Sequence, residues 1–213
     1  MKLYYMPAAC SLAPHIILRE LGITADLVQV DHKTHRTDDD RDFLELSPFG
    51  YVPLLELDDG THLREGAAIL QYLADLKPEL GLAPANGTME RYRLQEWLNF
   101  LTSEIHKGFI PLLYARHARL AGTYGTDTAK PKLEARFAWL DGILAESDYL
   151  LGASFTVADA YLYSLMQWGQ AEWLEPTYRA DIHFNTLDNL KAWYLRIRTR
   201  PAVRQALDIE RLR

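Results

Sequence analysis

A single cysteine, Cys10, stands in the whole chain of 213 residues, so no intrachain disulfide can form. The fold must stand on packing alone, as expected of a protein made for a reducing cytoplasm. Basic charge is short as well: 23 Lys and Arg against 29 Asp and Glu leave a formal net charge of -6. Binding nucleic acid requires a basic face to neutralise phosphates, and this balance argues against such a partner. Long apolar runs are missing too. The start, Met1 to Pro7, holds one positive charge but its apolar run stops at Pro7, too short for the core of a secretory signal. No later stretch is long and apolar enough to span a membrane, so no membrane partner is expected. No His or Cys spacing suggests structural zinc, and no metal is expected. Neither a phosphate-cradling Gly-rich loop nor a nucleophile elbow is present, and no repeat or low-complexity tract interrupts the chain. With 48% of its residues apolar, the chain has the composition of an ordinary soluble protein, enough for one large domain or two small ones.

Lys2 to Met6 is short, aromatic and closed by proline, which predicts a strand. Leu12, Ile16 and Ile17 then recur at helical spacing up to Leu21, and Gly22 stands where a left-handed residue would end that helix. With Ala25 to Val30 as a second strand, the short crossover implies a parallel βαβ unit. Asp31 to Asp42 is dense in charge without apolar period and reads as an exposed loop. Val52 to Leu57 and Thr61 to Leu63 flank Asp58-Asp59-Gly60, a hairpin signature in which Pro53 should open a strand or bound it. Ala67 to Leu76 is an amphipathic helix preceded by Glu65 and Gly66, its acidic residue at the positive helix end. Pro78, Gly81, Pro84, Asn86 and Gly87 then cluster as an interdomain linker over about 77–88. Beyond it everything reads as helix. Thr88 caps a long one that Pro111 should kink or end, and others run roughly over 132–145, 157–170 and 187–198. Thr156 and Asp159 form a capping box, a folding element rather than a site.

A lone cysteine is ordinarily an apolar filler. Cys10, however, falls between the first strand and the first helix, where unpaired amides favour thiolate and lower its pKa below the free value of about 8.5. Ser11 adjoins it as a hydrogen-bond donor to a sulfur anion, or as a cap. Asn99, Ser103 and His106 recur at helical intervals of four and three, which puts them on one polar face, with Lys107 adding positive charge nearby.

These residues resemble the bacterial beta-class glutathione transferases along essentially the whole length. Ala8-Ala9-Cys10-Ser11-Leu12 resembles the active-site start, Tyr51-Val52-Pro53 the valine with its cis-proline, and Glu65-Gly66-Ala67-Ala68-Ile69 the γ-glutamyl-binding turn. Trp97-Leu98-Asn99 with Glu104-Ile105-His106-Lys107-Gly108-Phe109 resembles the helix of the second domain, and Phe155-Thr156-Val157-Ala158-Asp159-Ala160 its folding box. The resemblance implies an N-terminal thioredoxin-like α/β domain over 1–80, an all-helical (all-α) domain over 88–213, glutathione as cosubstrate and a homodimer. It implies that the Val52 main chain pairs with the cysteinyl moiety of glutathione, that Glu65 and the Gly66 amide hold its γ-glutamyl end, and that Cys10, Ser11 and His106 face its sulfur. Asn99, Ser103, Glu104 and Lys107 would line the site from the helical domain. His35 stands where lysine is frequent in the family and would meet the glycyl carboxylate, with Lys33 as a stand-in, while Tyr51 replaces a common glutamine. Tyr4 and Tyr5 raise the question of a tyrosine that activates glutathione, as in other classes.

The expected activity is conjugation of glutathione to small hydrophobic electrophiles, a detoxification. Its rivals are thiol transfer through a Cys10 mixed disulfide and a non-catalytic protein that binds hydrophobic compounds.

Overall fold

The computed structural model describes residues 1–118, 124–175 and 177–212. Strand β1 (Lys2–Tyr5) leads into helix α1 (Leu12–Glu20), which crosses to β2 (Asp26–Gln29), parallel to β1 with Leu3 opposite Leu27. Gly22 takes φ 60 just past the helix, the left-handed stop its position predicts. Strand β3 (Leu54–Glu56) runs antiparallel to β1 and turns through Asp58-Asp59-Gly60 into β4 (His62–Leu63), giving a sheet of order β2-β1-β3-β4. Pro53 bounds β3 from outside and follows a cis peptide bond. Helix α2 (Gly66–Asp75) closes this half.

Alternation along β1 decides what each face covers. Leu3 and Tyr5 pack with Leu55 under α1 and α2, whereas Tyr4 and Leu54 face the opposite way, onto Val30 and Phe43. Both N-terminal tyrosines are therefore core residues, and the Tyr4 hydroxyl is spent on Glu56 at 2.8 Å.

The C-terminal half is helical. Thr88 caps α3 (Met89–Phe100), its hydroxyl accepting the Arg91 amide at 3.2 Å. The helix then widens into a π-helical stretch, Leu101–His106, and continues as α4 (Lys107–Ala118) with Pro111 inside it. Of the two outcomes its position suggests, a kink or an end, Pro111 does not end the helix. It has no N–H for the Lys107 carbonyl, and the ladder is loosened in the turns just before that residue. There the Thr102 and Ser103 hydroxyls turn back onto the carbonyls of Leu98 (2.8 Å) and Asn99 (3.0 Å).

Helix α5 (Lys130–Glu146) is slightly longer than its pattern, while α6 (Val157–Met166) stops short of the expected Gln170. The reason is tertiary: the Gln170 amide donates to the Ile182 carbonyl at 2.8 Å, and the Phe184 ring lies where any Cβ on Gly169 would stand, 2.3 Å away. Helices α7 (Asp188–Arg198) and α8 (Pro201–Ile209) complete the chain, the latter not anticipated from its pattern. The capping box at Thr156 and Asp159 is complete, and the Asp159 carboxylate also takes the Leu150 amide (2.9 Å) and the Trp193 indole (3.0 Å).

The two halves share one core, because α1 packs on both α6 and α8. Arg91 grips Asp75 at 2.5 and 3.0 Å, Arg200 grips Glu20 at 2.6 and 3.0 Å, and the Val157 amide reaches Leu82. These contacts fix how the start of α1 faces the helical half.

Candidate active site

Cys10 ends the turn between β1 and α1 and is half-buried, its thiol donating to the Val52 carbonyl at 3.4 Å. Burial, aided by the Glu65 carboxylate, pushes the thiol up to about 12; the amides of Cys10 and Ser11 and the Lys107 charge pull the other way and are outweighed. The helix start was expected to lower this pKa. It does not, because the first amides already have partners: Leu12 N–H donates to the Ala9 carbonyl at 3.0 Å and Ala13 N–H to the Cys10 carbonyl at 3.2 Å. A helix end so closed offers little field to a desolvated sulfur.

Ser11 was expected to donate to that sulfur through its hydroxyl. Instead the side chain is fully buried, giving its proton to the Met6 carbonyl (3.1 Å) and accepting the Met6 amide (3.2 Å). Only the Ser11 main chain faces the thiol.

His106 closes the π-helical stretch and is held from two sides. Its Nδ1 lies 2.8 Å from the Tyr161 hydroxyl, and its ring stands edge-on to Trp168 at 5.0 Å. Trp168 in turn donates its indole N–H to the Ala8 carbonyl at 2.8 Å, in the turn that carries Cys10. Burial, with a smaller push from Lys107, lowers His106 to about 4, so the imidazole is neutral at physiological pH. Tyr161 is raised well above an ordinary phenol, chiefly by burial and then by Cys10 and Glu65, and stays protonated. Its hydroxyl can donate a hydrogen bond to Nδ1, which leaves Nε2 carrying the ring hydrogen and acting as the donor on the other side.

Glu65 precedes α2 at φ 67, in a region that a side chain with a Cβ seldom occupies without support. It is exposed, and Gly66 opens the helix behind it with its nearest packing neighbour, Pro53, 3.9 Å from where a Cβ would stand. Cys10 feels the charges of both Glu65 and Lys107, one from each half of the chain. Val52 is half-buried beside them.

Four expected residues are placed otherwise. Asn99 and Ser103 lie exposed, while the π-helical turns swing His106 inward, so the three do not share one face. Glu104 is taken by α5, where Arg136 holds its carboxylate at 2.5 Å and Lys132 stands 3.6 Å away. That pairing keeps Glu104 away from Cys10 within this chain. His35, at φ 53, is wedged against Gly50: a Cβ there would meet its Cε1 at 2.5 Å, and its Nδ1 is buried without a partner among the described residues. Lys33 is exposed.

Two tyrosines escaped the sequence reading. Tyr161 sits among the wholly buried residues of α6 and carries the apolar signature of core, and Tyr178, which also feels Cys10, follows α6 in an irregular segment. Only the fold brings them to the thiol.

A family model described as Glutathione S-transferase, N-terminal domain, matches residues 9–76, and one described as Glutathione S-transferase, C-terminal domain, matches residues 105–201. Glutathione S-transferase GstA of Escherichia coli O157:H7 is 38% identical over 213 residues, 100% of both chains. Among solved structures, a sphingomonad glutathione S-transferase complexed with glutathione is 43% identical with a TM-score of 0.89, covering 100% of both chains. The bacterial beta-class glutathione S-transferase of Sphingomonas chungbukensis is 41% identical, also with a TM-score of 0.89 and 100% of both chains covered.

Proposed function

The chain belongs to the glutathione S-transferase family, and from that premise we propose that it holds reduced glutathione beside Cys10 and adds its sulfur to small hydrophobic electrophiles. One observation carries the choice of mechanism: the half-buried Cys10 thiol spends its hydrogen on the Val52 carbonyl at 3.4 Å, and burial pushes its pKa up to about 12. A thiol so placed donates a hydrogen bond to a sulfur anion and is poorly suited to become one. The attacking sulfur is then that of glutathione. Its lone pair forms the new carbon–sulfur bond as the electrophile's leaving group departs or its ring opens.

Neutral His106 serves the same anion through Nε2–H, with Tyr161 fixing the tautomer from behind. A hydrogen bond to a charged group contributes about 1.5–3 kcal/mol, and each pKa unit taken off the glutathione thiol requires about 1.4 kcal/mol. Cys10 and His106 together are therefore sufficient to make thiolate the main form near neutral pH. Glu65 takes the ammonium of the γ-glutamyl end and the Gly66 amide its carboxylate, at the start of α2 where the helix dipole favours an anion. The Val52 main chain pairs with the cysteinyl unit, which displaces the Cys10 thiol from the Val52 carbonyl toward the incoming sulfur. Lys33 serves the glycyl carboxylate, and His35 reaches it only through Nε2, the Nδ1 side of its ring being wedged against Gly50.

The same proposal places the dividing segment of the two halves at about 77–88 and the protein in the cytoplasm, where a free working thiol persists. It also makes the protein a homodimer. Exposed Trp139 packs on Trp97 and Phe100 at 5.5 and 5.1 Å to form an aromatic band, in the part of the helical half whose first helix also carries exposed Tyr92 and Asn99, with Ser103 just beyond it. Asn99 and Ser103 then act at the face between copies.

Cys10→Ala tests the mechanism. Conjugation should persist in substantial part while thiol transfer vanishes. Complete loss of conjugation with glutathione binding intact would instead make Cys10 the nucleophile.

A further inference from the structure

Ala8 stands two residues before Cys10 and takes φ 64, a conformation that a residue with a Cβ holds only when its surroundings impose it. Both of its main-chain groups are claimed by the helical half. The carbonyl accepts from the Trp168 indole at 2.8 Å, and the amide donates to Glu210 Oε2 at 3.1 Å. Glu210 follows directly on α8 and is only 4% exposed. Its other oxygen, Oε1, lies 2.8 Å from Nδ1 of the fully buried His15, whose Nε2 accepts from Arg19 at 3.3 Å. Because Nε2 is the acceptor of that ring, Nδ1 carries the hydrogen and donates to the carboxylate. One carboxylate thus ties the turn before Cys10 to the helix after it. Burying a carboxylate is costly, and an apolar residue would fill the same space; what an apolar residue lacks is an acceptor for the amide of a left-handed alanine.

We propose that Glu210 is a positioning residue for the thiol site: with Trp168 it holds Ala8 left-handed and so sets where Cys10 stands. The segment after α8 is in this way part of the active site without touching substrate. The inference rests on the reading of the 8–11 turn as the place where glutathione's sulfur lies, yet its core, the position of Cys10, is measured independently of it. Cys10 is the only cysteine in the chain, so alkylation by iodoacetamide reports on that turn alone.

The test compares Glu210→Ala, Glu210→Gln and the double variant Glu210→Ala with Ala8→Gly, by alkylation rate of the folded protein and by conjugation kinetics. Glu210→Ala should speed alkylation about tenfold and lower kcat/KM for glutathione by about tenfold to a hundredfold, as small misplacements do. Glu210→Gln keeps an acceptor for the Ala8 amide, its –NH2 donating to His15 Nδ1 once that ring takes the other tautomer, and should stay within about threefold of the parent on both measures. Adding Ala8→Gly should recover most of the loss, since glycine adopts this conformation unaided, whereas a purely structural defect would worsen with the added glycine. Unchanged alkylation in Glu210→Ala overturns the proposal, as does a Gln variant as impaired as Ala with no recovery from glycine. Faster alkylation with unaltered conjugation would keep the clamp and overturn the placement of glutathione's sulfur. If Glu210→Ala does not fold, Trp168→Phe removes the other hold on Ala8, and unchanged alkylation there overturns the proposal equally.

Discussion

At Cys10 desolvation and the fields of nearby amides and Lys107 act in opposite directions, and desolvation wins. Alkylation of the free protein should therefore keep accelerating past pH 10, well beyond the ordinary thiol value of about 8.5. A plateau by pH 9 would show that the amides prevail. His106 gives a second expectation. Its folded-state value is lowered to about 4, so as pH falls from about 6.5 the unfolded chain takes up a proton that the folded one refuses. Stability should drop across that window by up to about 1.4 kcal/mol per pH unit, and His106→Gln should lose that part of the acid sensitivity. Equal acid sensitivity of the two proteins in urea unfolding would place His106 in water. Tyr161→Phe removes the hydroxyl 2.8 Å from Nδ1 and frees the tautomer. We expect kcat for conjugation to fall roughly tenfold, the worth of one hydrogen bond, with KM for glutathione little changed. A rise in KM alone would mean that Tyr161 serves binding.

Among the elements, those made by local signals were legible in the chain: β1, α1 with Gly22 behind it, the Asp-Gly hairpin, α2 and the Thr156 box follow from periodicity, turn residues and caps. The π-helical stretch at Leu101–His106 was not, because its cause is distributed over Thr102, Ser103 and a proline further on. That stretch turns His106 toward Tyr161 and leaves Asn99 and Ser103 outside, so a straight-helix reading of one shared face fails at the residue that matters most. The short α6 was equally hidden, since Gln170 leaves the helix for a partner far along the chain, Ile182. Asp159 shows where local and tertiary signals agree. Its buried carboxylate serves the amides of Leu150 and Thr156 and the Trp193 indole, and Asp159→Ala strands those donors. A loss of about 3 kcal/mol or more is expected, read as a lower urea midpoint at unchanged slope; a loss under 1 kcal/mol would reduce the box to a surface cap.

For the molecule as a whole, sedimentation equilibrium at micromolar concentration should give twice the chain mass, and Trp139→Lys, a charge placed in the aromatic band, should shift it toward the monomer. A fully active monomer would remove the second copy from the function. The amino-acid sequence by itself determined most of the strands and helices in their order, α8 and the π-helical stretch excepted, and the pairing of an α/β half with a helical half, because periodicity and turn chemistry are local properties. It also carried Cys10, Val52, Glu65 and His106 as the residues to watch. Only the tertiary structure decided their chemistry. Burial, which depends on contacts between distant segments, raises the Cys10 thiol and keeps His106 neutral. Side-chain competition sends the Ser11 hydroxyl to Met6 and the Glu104 carboxylate to Arg136. The turn that carries the thiol is held by Trp168 and Glu210, residues whose distance along the chain hides them from any reading of local pattern.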